Sequence, residues 1–113
     1  MQMEICCSEK GAFSCLAFKG RLDATSSPSA EEAFAKSIEK NPKTLVDLSF
    51  LEYISSAGLR VLLVAAKRSQ QKAGRIAIFG LTDNVREVFE ISGFSALFRI
   101  FDTEAKAIVF LSE

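Results

Sequence analysis

The sequence predicts an α/β fold, a mixed sheet of about five strands with four helices packed mainly on one face. Three observations predict it. Two short apolar segments near the start are joined by a charged, glycine-containing turn, which is the pattern of an antiparallel hairpin. From Thr44 onward strand and helix patterns alternate, as in parallel strands joined by right-handed crossovers. No repeat, low-complexity stretch or linker divides the chain, so its 113 residues form one domain spanning 1–113.

The elements follow in order. Met3 to Cys7 and Ala12 to Lys19 are the hairpin strands, with Ser8 to Gly11 as the turn. Gly20 to Pro28, GRLDATSSP, is a loop of small and hydrogen-bonding residues that ends in a proline near a helix start. Ala30, Ala33, Phe34, Ser37 and Ile38 recur at helical spacing until Asn41-Pro42 stops them. Thr44 to Leu48 is a short strand, and a short connection leads to paired serines at the start of a second helix. On that helix Leu59, Leu62, Leu63 and Ala66 form the face toward the sheet. It ends near Ala73-Gly74, with the glycine as the C-terminal stop.

Arg75 to Phe79 is the next strand. Thr82 or Asp83 caps a third helix with Val85, Val88, Phe89 and Ile91 inward, closed by Ser92-Gly93. Leu97 to Phe101 is the last strand, and Asp102 or Thr103 caps a final helix that turns Ala107, Ile108 and Leu111 inward.

Composition excludes several functions. Lysine plus arginine equals aspartate plus glutamate at 14 each, so no net charge draws the chain to nucleic acid or anionic lipid. No apolar run reaches the roughly 20 residues that cross a bilayer, and the first ten residues lack the plan of a secretory signal. The expected compartment is the cytoplasm and the expected partners are proteins. Three cysteines, an odd number, argue against a disulfide framework. Cys6, Cys7 and Cys15 are read as small apolar fillers of strands. The absence of histidine removes the commonest general base and metal ligand, and with them a Ser-His-Asp hydrolase. No glycine-rich phosphate loop or metal-ligand spacing is present, so no cofactor and no metal are expected.

The stretch Leu45 to Leu63, LVDLSFLEYISSAGLRVLL, concentrates the function. It places Ser55 and Ser56 where helix N–H groups have no intrahelical partners and the positive end of the dipole points outward. A phosphate on either hydroxyl is tolerated there. The other role open to both serines is capping. Val61 and Val64 fall outside the sheet-facing stripe, beside Arg60, Lys67 and Arg68, as an apolar strip rimmed with positive charge that suits a protein contact and equally suits two ordinary exposed or half-buried valines. Asp47 is read as a structural residue, and Ser26 and Ser27 as caps of the first helix.

Three pieces of the chain resemble the STAS domains of bacterial anti-sigma factor antagonists. They are GRLD at Gly20 to Asp23, LVDLSFLEYISSAGL from Leu45 to Leu59, and GRIAIFGLTDNVREVFEISGF from Gly74 to Phe94. The resemblance implies a phosphoacceptor two residues before Gly58, which is Ser56. It departs from the family at Ser55, where many members are acidic and which becomes the minor rival acceptor, and at Ala57, where many have Ser or Thr. It also implies a partner-binding surface of Asp23, Thr25, Ser55, Ala57, Gly58, Leu59, Arg60, Val61 and Val64, although Asp23 also suits a turn residue bonding its own backbone.

The implied function is non-enzymatic. The unmodified antagonist binds an anti-sigma factor that is also a serine kinase of the GHKL ATPase type. Phosphorylation releases it, and a PP2C-like phosphatase resets it. A second reading keeps the fold and makes the chain a STAS subunit of a membrane transport complex, such as a lipid-exporting ATPase, with the same patch as a permanent docking surface. A third, an enzyme or nucleotide-binding protein, lacks a phosphate loop, a base and a metal set.

Overall fold

The computed structural model describes residues 3–113. Strand β1 (Glu4–Lys10) and strand β2 (Phe13–Leu22) form the antiparallel hairpin. Helix α1 (Ser27–Lys40), strand β3 (Lys43–Ile54), helix α2 (Ser56–Gln71) and strand β4 (Arg75–Phe79) follow. Helix α3 (Asp83–Ile91), a short 3-10 helix (Phe94–Ala96), strand β5 (Arg99–Phe101) and helix α4 (Glu104–Ser112) complete the chain. The sheet order is β1-β2-β3-β4-β5, and every pair after the hairpin is parallel. Because the parallel strands advance in one direction, right-handed crossovers place α1, α2 and α3 on the same face.

Strand alternation supplies two cores. Leu16, Phe18, Val46, Leu48 and Ile78 point to the three-helix face, where they meet Phe34, Ile38, Leu62 and Phe89. Phe13, Cys15, Leu45, Ala77 and Phe79 point the other way and are covered by Ala107 and Leu111 of α4. Being no crossover, α4 is free to take the second face, which is why the expectation of helices mainly on one face holds for three of the four.

Several boundaries differ from expectation. The hairpin turn is only Gly11 and Ala12, with Gly11 at φ +69°, so β1 runs to Lys10. Strand β2 takes in Gly20 to Leu22, and β3 continues past Leu48 to Ile54, directly against Ser55 with no intervening loop. The register slips between Ala17 and Lys19 and again between Gly20 and Arg21, breaking the two-residue alternation there. In α2, Val61 is 3% exposed and Ala65 is buried, while Leu63 and Ala66 are only half-buried. The buried stripe is turned toward α1, whose Phe34 packs in the same cluster. At the end of α2 the left-handed residue is Ala73 (φ 59°), not Gly74. Gly74 is needed for another reason: its Cα lies against Pro42, where a Cβ has no space. Ile91 is 78% exposed rather than inward. Cys6 and Cys7 are exposed on an edge strand and fill nothing, whereas Cys15 is buried.

Candidate functional site

The end of β3 and the start of α2 meet the end of β2. Leu51 and Ile54 point into the core, so the chain leaves the sheet anchored on both. The Ser55 N–H donates to the Leu22 carbonyl at 2.9 Å, tying the helix start to β2. Ser55 is the N-cap in extended conformation (φ −99°, ψ 176°), and its hydroxyl accepts from the Gly58 N–H at 3.4 Å. Gly58 is buried, because a Cβ there would come within 2.7 Å of the Leu22 carbonyl oxygen and 2.8 Å of Ile54 Cγ1. These contacts leave one serine free. Ser56 is the first helical residue and exposed, and among the described residues no side-chain hydrogen bond engages its hydroxyl. No acidic residue occupies the first turn of α2, so only N–H donors and the dipole act there.

Asp23 directly follows Leu22 and so lies beside this helix start. Its side chain is committed to its own turn: Oδ1 accepts from the Thr25 N–H at 3.0 Å and the Ser26 N–H at 3.2 Å. Its carbonyl accepts from the Ser27 N–H at 2.9 Å and the Ser27 hydroxyl at 2.6 Å. Ser26 occupies the N-cap position of α1 without a side-chain capping bond, and its hydroxyl instead accepts from the Asp23 N–H and donates to the Arg21 carbonyl. Asp47 accepts from the Ser49 N–H at 2.9 Å, a structural role as expected.

The residues expected to bind a partner divide by burial. Ser56, Arg60, Thr25 and Val64 are exposed, with Val64 at 40%, and Asp23, Ser55 and Ala57 are half-buried. Gly58, Leu59 and Val61 are buried and form core, since α2 is covered by both the sheet and α1. The sequence reading missed four exposed residues at this end: Arg21, Phe50, Tyr53 and Ile91. Phe50 is 65% exposed. The Arg21 guanidinium stacks 4.2 Å from the Tyr53 ring, with Nε 4.0 Å from Asp23 Oδ2. Arg21, Tyr53, Val88 and Ile91 line an open groove of about 430 Å³ together with Glu52, Asn84 and Glu87. Had the strand been extended through FLEY, Phe50 and Tyr53 would have stood out as large residues between the inward Leu48, Leu51 and Ile54.

Among the described residues no group of His, Cys, Asp or Glu is arranged to hold a metal ion, and no helix is long and apolar enough to cross a membrane. The family model of the STAS domain matches residues 7–107. The chain belongs to the STAS domain family. Among relatives of this STAS domain, BtrV of Bordetella bronchiseptica, named as a candidate anti-sigma factor antagonist, is 40% identical over 94 residues, 81% of each chain. The anti-sigma-B factor antagonist of Listeria monocytogenes is 31% identical over 88 residues, 77% of each chain. In structure, the anti-sigma factor antagonist SpoIIAA in its unphosphorylated form superimposes with a TM-score of 0.73 at 17% identity, over 96% of this chain and 98% of that one. The phosphorylated form of Bacillus SpoIIAA gives 0.70 at 18% identity, over 93% and 96%. At that identity the likeness shows the fold alone.

Proposed function

We propose that this STAS domain is an anti-sigma factor antagonist that binds a serine-kinase anti-sigma factor and is released from it by phosphorylation of Ser56. The observation that carries the proposal is the division of labour between adjacent serines: Ser55 caps the helix, while Ser56 stands exposed beside it with no intramolecular side-chain bond among the described residues. A kinase reaches the second hydroxyl without dismantling the first. The relatives named as anti-sigma factor antagonists support the partner class.

The switch is electrostatic. A phosphoserine carries nearly two negative charges at neutral pH. On Ser56 it lies at the positive end of the α2 dipole with no acidic neighbour in the first turn, so the fold tolerates it. In a partner interface the same charge has to be desolvated or repelled, and a loss of roughly 3 kcal/mol weakens a complex more than a hundredfold. The docking surface combines Ser56, Arg60 and Val64 on α2 with Thr25 and the Asp23 turn, and adds Phe50, Tyr53 and Ile91. A PP2C-like phosphatase removes the phosphate and restores binding.

The test is phosphosite mapping by mass spectrometry after incubation with the cognate anti-sigma factor and ATP. Phosphate goes to Ser56 in the unmodified chain and in Ser55→Ala, and is absent from Ser56→Ala. Modification of Ser55 in the native chain would overturn the assignment.

A further inference from the structure

One edge of the sheet is β1, and among the described residues no strand lies beyond it. All its residues except Ile5 are exposed. A bare edge presents unpaired N–H and C=O groups that accept another strand, and here the hairpin register restricts which strand fits. Lys10 opposes Phe13 across the two-residue turn. A two-residue turn closes on a pair that exchanges both hydrogen bonds. Glu4, Cys6, Ser8 and Lys10 therefore turn their peptide groups toward β2, and Ile5, Cys7 and Glu9 turn theirs outward.

Two copies of β1 meeting antiparallel must then pair odd-numbered residues with odd-numbered ones, which places the two-fold axis on a residue of the strand and not between two residues. Only the axis at Cys7 engages all of β1. It sets Glu4 opposite Lys10 of the second copy twice over, Ile5 opposite Glu9, Cys6 opposite Ser8, and Cys7 opposite itself. The side chains agree with this register. Glu4, Cys6, Ser8 and Lys10 share the α4 face by alternation, and the Lys10 ammonium already lies there, 2.8 Å from Glu104. Glu4 of a second copy arrives beside that cation and shares it with Glu104. On the other face Glu9 is held 3.2 Å from Lys40, so Ile5 of the second copy meets a paired rather than a bare carboxylate. An open groove of about 550 Å³ between β1 and α1, lined by Cys7, Ala33 and Lys36, leaves space there for incoming side chains.

We infer that two copies of this chain associate through antiparallel β1 strands about an axis at Cys7, with Glu4 and Lys10 setting the register. The contact is one seven-residue strand from each copy, a small interface that makes the dimer weak and concentration-dependent. Ser56 lies beyond the end of β3, two strands away, and stays uncovered in each copy.

Sedimentation of the full chain tests this, combined with oxidation by diamide, which takes up the two thiol hydrogens as the disulfide forms. The expected result is a monomer–dimer equilibrium weakened about tenfold by Glu4→Lys, since two unlike pairs become like ones. Hydrogen-bonded antiparallel partners have Cα atoms about 5.5 Å apart, within disulfide reach. A covalent dimer therefore forms in the native chain and in Cys6→Ser but not in Cys7→Ser. A chain that stays monomeric at its highest soluble concentration would overturn the inference. So would association indifferent to Glu4→Lys, or a cross-link that persists in Cys7→Ser through Cys6.

Discussion

The Ser55 amide donates to the Leu22 carbonyl at 2.9 Å, and Gly58, one turn along, packs on that same carbonyl so closely that a Cβ would come within 2.7 Å of its oxygen. The start of α2 is thus seated on β2 through backbone atoms that cannot move aside as a flexible side chain does. Gly58→Ala gains helix propensity, at most about 1 kcal/mol and less in a first turn. Overpacking against backbone costs about 1–3 kcal/mol, so the clash wins. The expected result is a lower midpoint in urea unfolding, together with weaker partner binding as the serines shift.

Ile91 and Tyr53 line one groove although α3 and β3 are separated in the chain. Ile91 is so exposed that Ile91→Ser should change folding stability by no more than about 0.5 kcal/mol. Because the groove belongs to the proposed docking surface, the same change weakens anti-sigma factor binding about tenfold, or roughly 1.4 kcal/mol. Titration calorimetry beside thermal unfolding separates the two effects.

The three thiols should react in two classes. Cys6 and Cys7 are exposed and modify quickly with a disulfide reagent, while Cys15 reacts only as the fold opens. Burial pushes the Cys15 thiol above its ordinary value of 9.0, with Lys10 opposing the shift. Below pH 9.0 folded and unfolded chains both hold that proton, and this group leaves stability unchanged. As pH rises past 9.0 the unfolded chain ionises first, so stability falls with pH until the folded value has been passed. Cys15→Ala should remove that part of the alkaline decline in thermal unfolding.

Much of this STAS domain was legible in its sequence because the signals were local. Helical spacing from Ala30 to Ile38, the stop at Asn41-Pro42 and the glycine after Ser92 all act within a turn or two of chain. The errors came from contacts between distant segments. Two-residue alternation in β3 stops at Leu48, since bulges opposite β2 leave Leu48, Leu51 and Ile54 inward instead. Val61 looked external because its cover is α1, which helical spacing within α2 does not reveal. At the site, the serine pair and its position at the helix start were readable. Which hydroxyl is free was not, because that depends on the geometry of Ser55 toward Gly58. Phe50 and Tyr53 lie past the last alternating residue of β3, and Ile91 keeps helical spacing with the inward Val88, so nothing local marks the three as exposed.

The proposed switch requires that one added phosphate on Ser56 separate two proteins without unfolding either. Its most direct measurement is the affinity of the cognate anti-sigma factor for the unmodified chain and for the chain phosphorylated stoichiometrically at Ser56, with thermal unfolding recorded on both. The expected result is at least about a hundredfold weaker binding after phosphorylation, with the unfolding temperature of the antagonist nearly unchanged. Equal affinity of the two forms would contradict the account.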